Sequence, residues 1–241
     1  MAQDRNGATI VVTGAGSGIG YAITRRLLDV GYAVSAWDVT EGKLAGANDA
    51  GLSFHVIDVR DRAAMDRVVA GIEGPIVGLA NCAAIYKPVP FLELDEASWD
   101  AHLGINLKGT LFACQAVLPH MRAQRHGAIV MFSSGIARAG AKQGTQYAAT
   151  KGGVLGLARG MALDVAADNI RVNVISPGVT DTPQPRGHRS QADLDVMAAA
   201  NPMGRIGEPE DMAETALFLL EDDSSFVTGQ DIRVNGGGMM I

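Results

Sequence analysis

Thr9-Ile10-Val11-Val12-Thr13-Gly14-Ala15-Gly16-Ser17-Gly18-Ile19-Gly20 is the stretch that decides the fold. Its first five residues form an unbroken β-branched run, the pattern of a strand buried on both faces. From Gly18 to Val30, Ile19, Ile23, Leu27 and Val30 recur at helical spacing. Strand, glycine-rich turn and helix therefore follow one another within about twenty residues. The spacing is not GxGxxG, because Ile19 stands where a third glycine would be needed; it is GxxxGxG, through Gly14, Gly18 and Gly20. Glycine permits a tight turn, lets backbone N–H groups approach a pyrophosphate and lets the helix pack close. A helix N-terminus facing the turn favours the anion. Gly14, Ser17, Gly18, Ile19 and Gly20 are thus candidate dinucleotide-binding residues.

The same alternation continues outward. Strands are expected at Ala33 to Trp37, Leu52 to Ile57, Pro75 to Cys82, Ala128 to Phe132, Ile170 to Ile175 and Asp231 to Val234. Between them, helical patterns run from Asp61 to Ile72, Ser98 to Arg122, Gln146 to Ala167 and Pro209 to Leu220, with a short, glycine-interrupted one from Thr40 to Ala50. Pro183 to Gly207 reads as the one long irregular stretch, with a helix from Ala192 to Ala200 as an option. Apolar strands separated by helices mean an α/β fold: a doubly wound parallel sheet of about seven strands, covered on both faces. Its ligand crevice lies at the carboxyl ends of the strands. Functional residues should therefore follow strands directly.

Composition narrows the functions. The chain has 241 residues, 20 Lys+Arg against 26 Asp+Glu, and a net charge of −6. Without a basic block, nucleic acid is not the expected partner. The longest uncharged run, Asn6 to Thr24, is glycine- and hydroxyl-rich and makes a poor membrane span. Cys82 and Cys114 lack metal-like spacing, and a disulfide framework is excluded, which suits a reducing cytoplasm. The five scattered histidines suggest no metal site. No signal peptide is read at the start.

Asp38 ends the second strand, where a carboxylate can accept bonds from an adenosine ribose and repel a 2′-phosphate. Ser17 gives that phosphate no basic partner, so NAD is the expected cofactor. Asp58-Val59 follows the third strand; its carboxylate could meet the adenine amino group or cap the next helix. Tyr147 and Lys151 are spaced i, i+4 at the start of a helix and share a face. An ammonium beside a phenol favours phenolate, which would make Tyr147 a usable acid–base group. Ser133 and Ser134 end the fifth strand at the mouth of the crevice. Asn106 lies inside the long helix that begins at Ser98.

With these motifs in place, the chain resembles the short-chain dehydrogenase/reductase family, in its single-domain branch. The resemblance rests on Thr13 to Gly20, Asp58-Val59, Asn81-Cys82-Ala83-Ala84, Asn106, Ser134, Tyr147-Ala148-Ala149-Thr150-Lys151, Arg171-Val172-Asn173, Pro177-Gly178 through Thr182, and Thr228-Gly229-Gln230. It implies a catalytic tetrad of Asn106, Ser134, Tyr147 and Lys151. Ser134 would steady the substrate oxygen, Tyr147 would pass the proton, Lys151 would also hold the nicotinamide ribose, and Asn106 would hold a water in the proton relay. It further implies that Asn81 stabilises the sheet beside the cofactor and that Ala83, Pro177, Gly178 and Val179 belong to the cofactor site. Thr182 would meet the carboxamide. Where the family has Asn-Asn-Ala-Gly, this chain has Cys82 and Ala84, and the extra methyl at 84 narrows the space near the cofactor. The resemblance also implies a homotetramer, with the helices beginning at Ser98 and Gln146 at one interface and the C-terminal strand at another. The tail from Gly236 to Ile241 would dock on a neighbour.

The expectation is therefore one domain over residues 1–241, acting in the cytoplasm as an NAD-dependent oxidoreductase on a small secondary alcohol or its ketone. Two alternatives are a 3-oxoacyl thioester reductase, a role that in this family usually takes NADPH, and a dinucleotide-binding regulator without turnover, against which the intact tetrad argues. Residues 183–207 are the expected substrate lid. Arg186, His188 and Arg189 lie there within four residues, either closing over an anionic substrate or standing as a solvated basic loop. Ile85, Tyr86, Ile136, Val179 and Met197 are apolar pocket candidates that suit an uncharged alcohol instead.

Overall fold

The computed structural model describes Arg5 and residues 7–240. Seven parallel strands form one sheet: β1 (Thr9–Thr13), β2 (Ala33–Asp38), β3 (Leu52–Val56), β4 (Ile76–Asn81), β5 (Gly127–Phe132), β6 (Ile170–Pro177) and β7 (Asp231–Val234). Their order in space is β3-β2-β1-β4-β5-β6-β7. The strand order reverses between β1 and β4, and this switch point opens the ligand crevice.

The strands bury alternate residues in two separate cores. Ile10 and Val12 of β1 pack with Ile23, Leu27 and Leu219 on one face. Val11, between them, packs with Leu79, Val117 and Met131 on the other. Such a strand has no solvent face, which is why β1 shows no polar alternation. The first face is covered by α1 (Gly18–Asp29) and, much later in the chain, α9 (Pro209–Leu220). The second is covered by α2 (Arg62–Ala70), α4 (Gly109–Gln124) and α6 (Thr145–Val165).

Three expectations need correction. The long helix from Ser98 to Arg122 is interrupted: α3 (Glu96–His102) leads into a π-helical turn, Leu103–Lys108, before α4 begins. Between Thr40 and Ala50 there is only a 3-10 turn, Gly42–Leu44; Gly42 holds φ +51°, and Lys43 N–H donates to the Gly16 carbonyl. Glycine at 46, with φ +71°, then prevents the helix from growing. The stretch from Pro183 to Gly207 is largely helical, with α7 (Pro183–Arg186) and α8 (Gln191–Ala200). Pro183 suits a first helical turn, and Ser190 and Asp193 close a capping box on α8, so punctuation that reads as a loop starts two helices. The remaining short helix is α5 (Ile136–Ala139). No helix among the described residues is long and apolar enough to cross a membrane.

Candidate active site

A cavity of about 840 Å³ runs along the carboxyl ends of the strands. Every residue named above as catalytic or cofactor-binding lines it, except Asn81 and Asn106, which are buried behind its wall.

At one end lies the glycine turn, and its glycines answer to different constraints. A Cβ on Gly20 would sit 2.1 Å from the Gly14 carbonyl oxygen. One on Gly14 would sit 2.8 Å from the Ala83 nitrogen, and Gly14 itself holds φ +66°. Backbone thus packs on backbone, leaving no room for a side chain. Ser17, the residue before α1, makes no side-chain capping bond, and Gly18, Ile19 and Gly20 of the first helical turn line the cavity. Orphan first-turn amides facing a cavity are suited to an anion such as a pyrophosphate. The residues present therefore fit a dinucleotide.

Asp38 joins the second strand to this turn. Its carboxylate accepts from Gly16 N–H at 2.9 Å on one oxygen and from Val39 N–H at 2.7 Å and Thr40 N–H at 3.4 Å on the other. A carboxylate has about four acceptor sites, so capacity for hydroxyl donors remains. Val39 and Thr40 follow, so no basic side chain adjoins Asp38 in sequence. Asp58 is fixed by Arg60, whose backbone N–H and guanidinium both donate to it and hold its carboxyl below the usual range. Asp58 does not cap the helix that follows; Asp61 does, accepting from Ala64 N–H at 2.9 Å.

Asn81 lies beneath the switch point. Its side chain accepts from the Thr13 hydroxyl at 2.8 Å and donates to the Thr110 carbonyl at 3.1 Å, while Ala83 N–H donates to the same Thr13 hydroxyl. The side chain bridges β1, β4 and α4.

At the other end, Tyr147 and Lys151 project from the first turns of α6. Tyr147 is buried in the same cavity wall as Ser134 and Gln184. Burial pushes the phenol up from its ordinary value, and those two polar neighbours pull it back in part. Lys151 is buried as well and lies 5.5 Å from the Tyr147 ring centroid, with its Nζ donating to the Phe132 carbonyl at 2.8 Å. Burial lowers its pKa to about 8. The expected direction at Tyr147 is thus reversed: desolvation of the phenol dominates, and a lysine itself pushed towards neutrality returns little. Ser133 is structural, its hydroxyl donating to the Lys151 carbonyl at 2.8 Å.

Asn106 sits in the π-helical turn. Its Oδ1 accepts from Ile85 N–H at 2.8 Å, and its Nδ2 donates to the Ile85 carbonyl at 2.9 Å and the Thr150 hydroxyl at 3.2 Å. Both amide protons are used, so the side chain braces Ile85 against α6. Two further buried side chains, which sequence reasoning passed over, continue the brace. His102 Nε2 accepts from Lys87 N–H at 3.3 Å, and Gln146 donates to the Lys87 carbonyl at 2.6 Å. Tyr86 is held between these clamps, its ring 4.8 Å from that of Tyr147. His188 packs edge-on to Tyr86 at 5.6 Å and hydrogen-bonds its carbonyl at 2.9 Å. Gln146 and Gln184 adjoin Tyr147 and Pro183 in sequence, but no spacing rule singles them out.

The basic trio of residues 186–189 does not act as one cluster. Arg186 forms a two-pronged ion pair with Asp181 and also reaches Gln191. Arg189 lines the cavity. The five apolar pocket candidates, Ile85, Tyr86, Ile136, Val179 and Met197, all line it too. Asn235, Gly238 and Met239 belong to the same wall, so the described part of the tail folds onto its own site; Ile241 lies outside the described residues. Cys82 and Cys114 are free thiols raised by burial, Cys114 to about 12, which leaves them unreactive near neutral pH.

A family profile described as enoyl-(acyl carrier protein) reductase matches residues 14–238. The chain is 40% identical over 236 residues to cis-4-hydroxycyclohexanecarboxylate dehydrogenase of Sinomonas cyclohexanicum, covering 94% of each. It is 37% identical over 240 residues to a 3-oxoacyl-[acyl-carrier-protein] reductase of Thermotoga maritima, covering 96% of this chain and 97% of that one. Among solved structures, a short-chain dehydrogenase/reductase of Brucella melitensis, a glucose/ribitol dehydrogenase, matches with a TM-score of 0.91 at 30% identity and covers 100% of both chains.

Proposed function

The chain belongs to the short-chain dehydrogenase/reductase family of nicotinamide-dinucleotide oxidoreductases, and from that premise we propose that it is an NAD-dependent enzyme acting on a small secondary alcohol or its ketone. The observation that carries this reading is that Ser134, Tyr147 and Lys151 line the same cavity as the glycine turn. When bound, the dinucleotide supplies the hydride acceptor or donor. The protein manages the remaining proton. Ser134 orients the substrate oxygen towards Tyr147, whose phenolate takes the alcohol proton in oxidation and whose hydroxyl returns it in reduction. Lys151 lies beside the phenol and would hold the nicotinamide ribose, and Asn106 and Asn81 keep the wall behind them in place. A water serving Asn106 must use the second lone pair of Oδ1 or the backbone, because both side-chain protons are engaged.

The preference for NAD rests on Asp38. A 2′-phosphate would face its carboxylate, and the bases lining the cavity are Arg60, Lys151 and Arg189. Arg60 is committed to Asp58, and Lys151 lies beside Tyr147. Residues 1–241 act as one catalytic domain in this reading, with 183–207 as its lid. The reading includes a homotetramer, supported by a shallow apolar groove between the π-helical turn and α6, lined by Leu103, Leu107 and Leu157. Reduction of a 3-oxoacyl thioester is the second reading, favoured by the Thermotoga relative. A screen of alcohols, ketones and 3-oxoacyl thioesters with NAD(H) and NADP(H) tests both. Oxidation of secondary alcohols with NAD is the expected result. Turnover confined to thioesters with NADPH would replace the first reading by the second.

A further inference from the structure

We propose that the substrate is an anion: a secondary alcohol carrying a carboxylate, which Arg189 grips while a hydrocarbon body fills the space between. The inference rests on the oxidoreductase reading above and concerns its substrate.

The charged groups of the cavity are divided between its ends. Its carboxylates, Asp38 and Asp58, follow the second and third strands and lie at the glycine-turn end. The wall around Tyr147 has no carboxylate, and the base that the lid adds to it is Arg189. Most arginines of this acidic chain are held by an acid or a carbonyl. Among the described residues, only Arg67, Arg159, Arg189 and Arg233 make no hydrogen bond or ion pair, and of these Arg189 alone lines the cavity. Its nearby acid, Asp193, is taken up by the Ser190 N–H and hydroxyl in the capping box of α8. Arg186 is engaged by Asp181. A planar guanidinium with all its donors free, at the edge of a largely apolar wall, is suited to a carboxylate in a bidentate pair.

Arg189 is also anchored with respect to the chemistry. His188, the preceding residue, bonds the Tyr86 carbonyl and packs on the Tyr86 ring, which in turn touches Tyr147. The Nε2 nitrogen of His188 must carry a proton to donate to that carbonyl. Ile136, Met197, Ile206 and Met239 line the same cavity. They offer no hydrogen bonds and fit an alicyclic or short aliphatic body. In the forward reaction the carbinol C–H bond breaks and its hydride, with two electrons, passes to NAD. The O–H proton passes to the Tyr147 phenolate, which later gives it up to solvent, and the C–O bond becomes the carbonyl of an oxo acid. The acid is oxidised, NAD is reduced to NADH, and one proton is released.

The test compares 4-hydroxycyclohexanecarboxylate with its neutral carboxamide on the wild type and on Arg189→Ala, Arg189→Lys and Arg186→Ala. Wild type should favour the acid in kcat/KM. Arg189→Ala should raise KM for the acid at least tenfold with kcat little changed and leave the carboxamide unaffected. Arg189→Lys should recover part of the loss, and Arg186→Ala should behave as wild type. Equal kinetics for acid and amide in wild type, or equal small effects of Arg189→Ala on both, would overturn the inference while leaving the oxidoreductase reading intact. Failure of that reading shows itself differently, as no turnover of any alcohol or ketone in the wider screen. Should only acyl thioesters of coenzyme A respond to Arg189→Ala, the guanidinium serves a phosphate and the carboxylate assignment is wrong.

Discussion

At the glycine-turn end of the cavity, the atoms nearest Gly14 and Gly20 are backbone atoms of Ala83 and of Gly14 itself. At the Tyr147 end flexible side-chain tips enter the wall; Gly135, for example, has the terminal methyl of Met239 3.6 Å from where its Cβ would be. One end fixes a shape that no substitution can adjust without moving the main chain. The other can be reshaped by exchanging flexible tips. The cofactor end can therefore stay constant while relatives with one fold act on ring acids, sugars and acyl thioesters. The two ends meet at Tyr147 and Lys151, which belong to neither plan: both are buried, and burial shifts both.

The largest effect should come from the meeting point. Tyr147→Phe removes one hydroxyl and should lower kcat by at least about 10²-fold. NADH affinity, read by fluorescence titration, should stay nearly unchanged. A parallel loss of affinity would mean that the two ends are not separable. Next comes Gly20→Ala at the rigid end. Its methyl collides with the Gly14 carbonyl, so the turn must open, and the Kd for NADH should rise at least tenfold, about 1.4 kcal/mol. Ordinary affinity in this variant would show the turn to be as adaptable as the lid. Asp38→Ser is gentler, since serine keeps a hydrogen-bonding group but loses the charge. The ratio of kcat/KM for NAD over NADP should fall about tenfold, and an unchanged ratio would place selectivity elsewhere.

The smallest effect is on stability. A lysine in water titrates near 10.5, and burial brings Lys151 down to about 8. Between these values the folded chain binds fewer protons than the unfolded one, so stability rises with pH across that window. Below pH 8 the folded protein bears the full cost of the buried charge. Lys151→Met should therefore melt a few degrees higher at pH 7, each kcal/mol being about 2–4 °C for a chain of this size, partly offset by the lost bond to Phe132. The gap should close by about pH 10.5. A constant gap from pH 6 to 10.5 would mean that the ammonium is not desolvated.

Much of this arrangement could be read before any coordinates. Strands such as β1 and β6 declare themselves because both faces are buried, and the residues that follow them had to line one crevice. What escaped reading has a common cause. Leu103, Ile105 and Leu107 alternate between helical patterns on either side, and no residue type marks a wider turn. The short helix α7 hides behind prolines that mark helix starts and loops equally well, whereas α8 is open to reading as a helix from Ala192 to Ala200. The clamps on Ile85 and Lys87 join residues 15 to 59 positions apart, and a buried histidine or glutamine has no signature until its partner arrives. Arg186 and Arg189 look alike in the sequence; only the position of Asp181 separates them.

The π-helical turn before α4 lets the helix carry one residue more than a regular helix could without disturbing what lies on either side. Each α-helical residue advances the side chain by about 100°, and a π turn absorbs one extra residue within an α-helix. The segments before and after it therefore stay in phase, and His102 still meets Lys87. Deleting one residue between Leu103 and Lys108 would let the helix run regularly with both flanking segments kept in place, and the loss should fall on the contacts of Asn106 to Ile85 and Thr150.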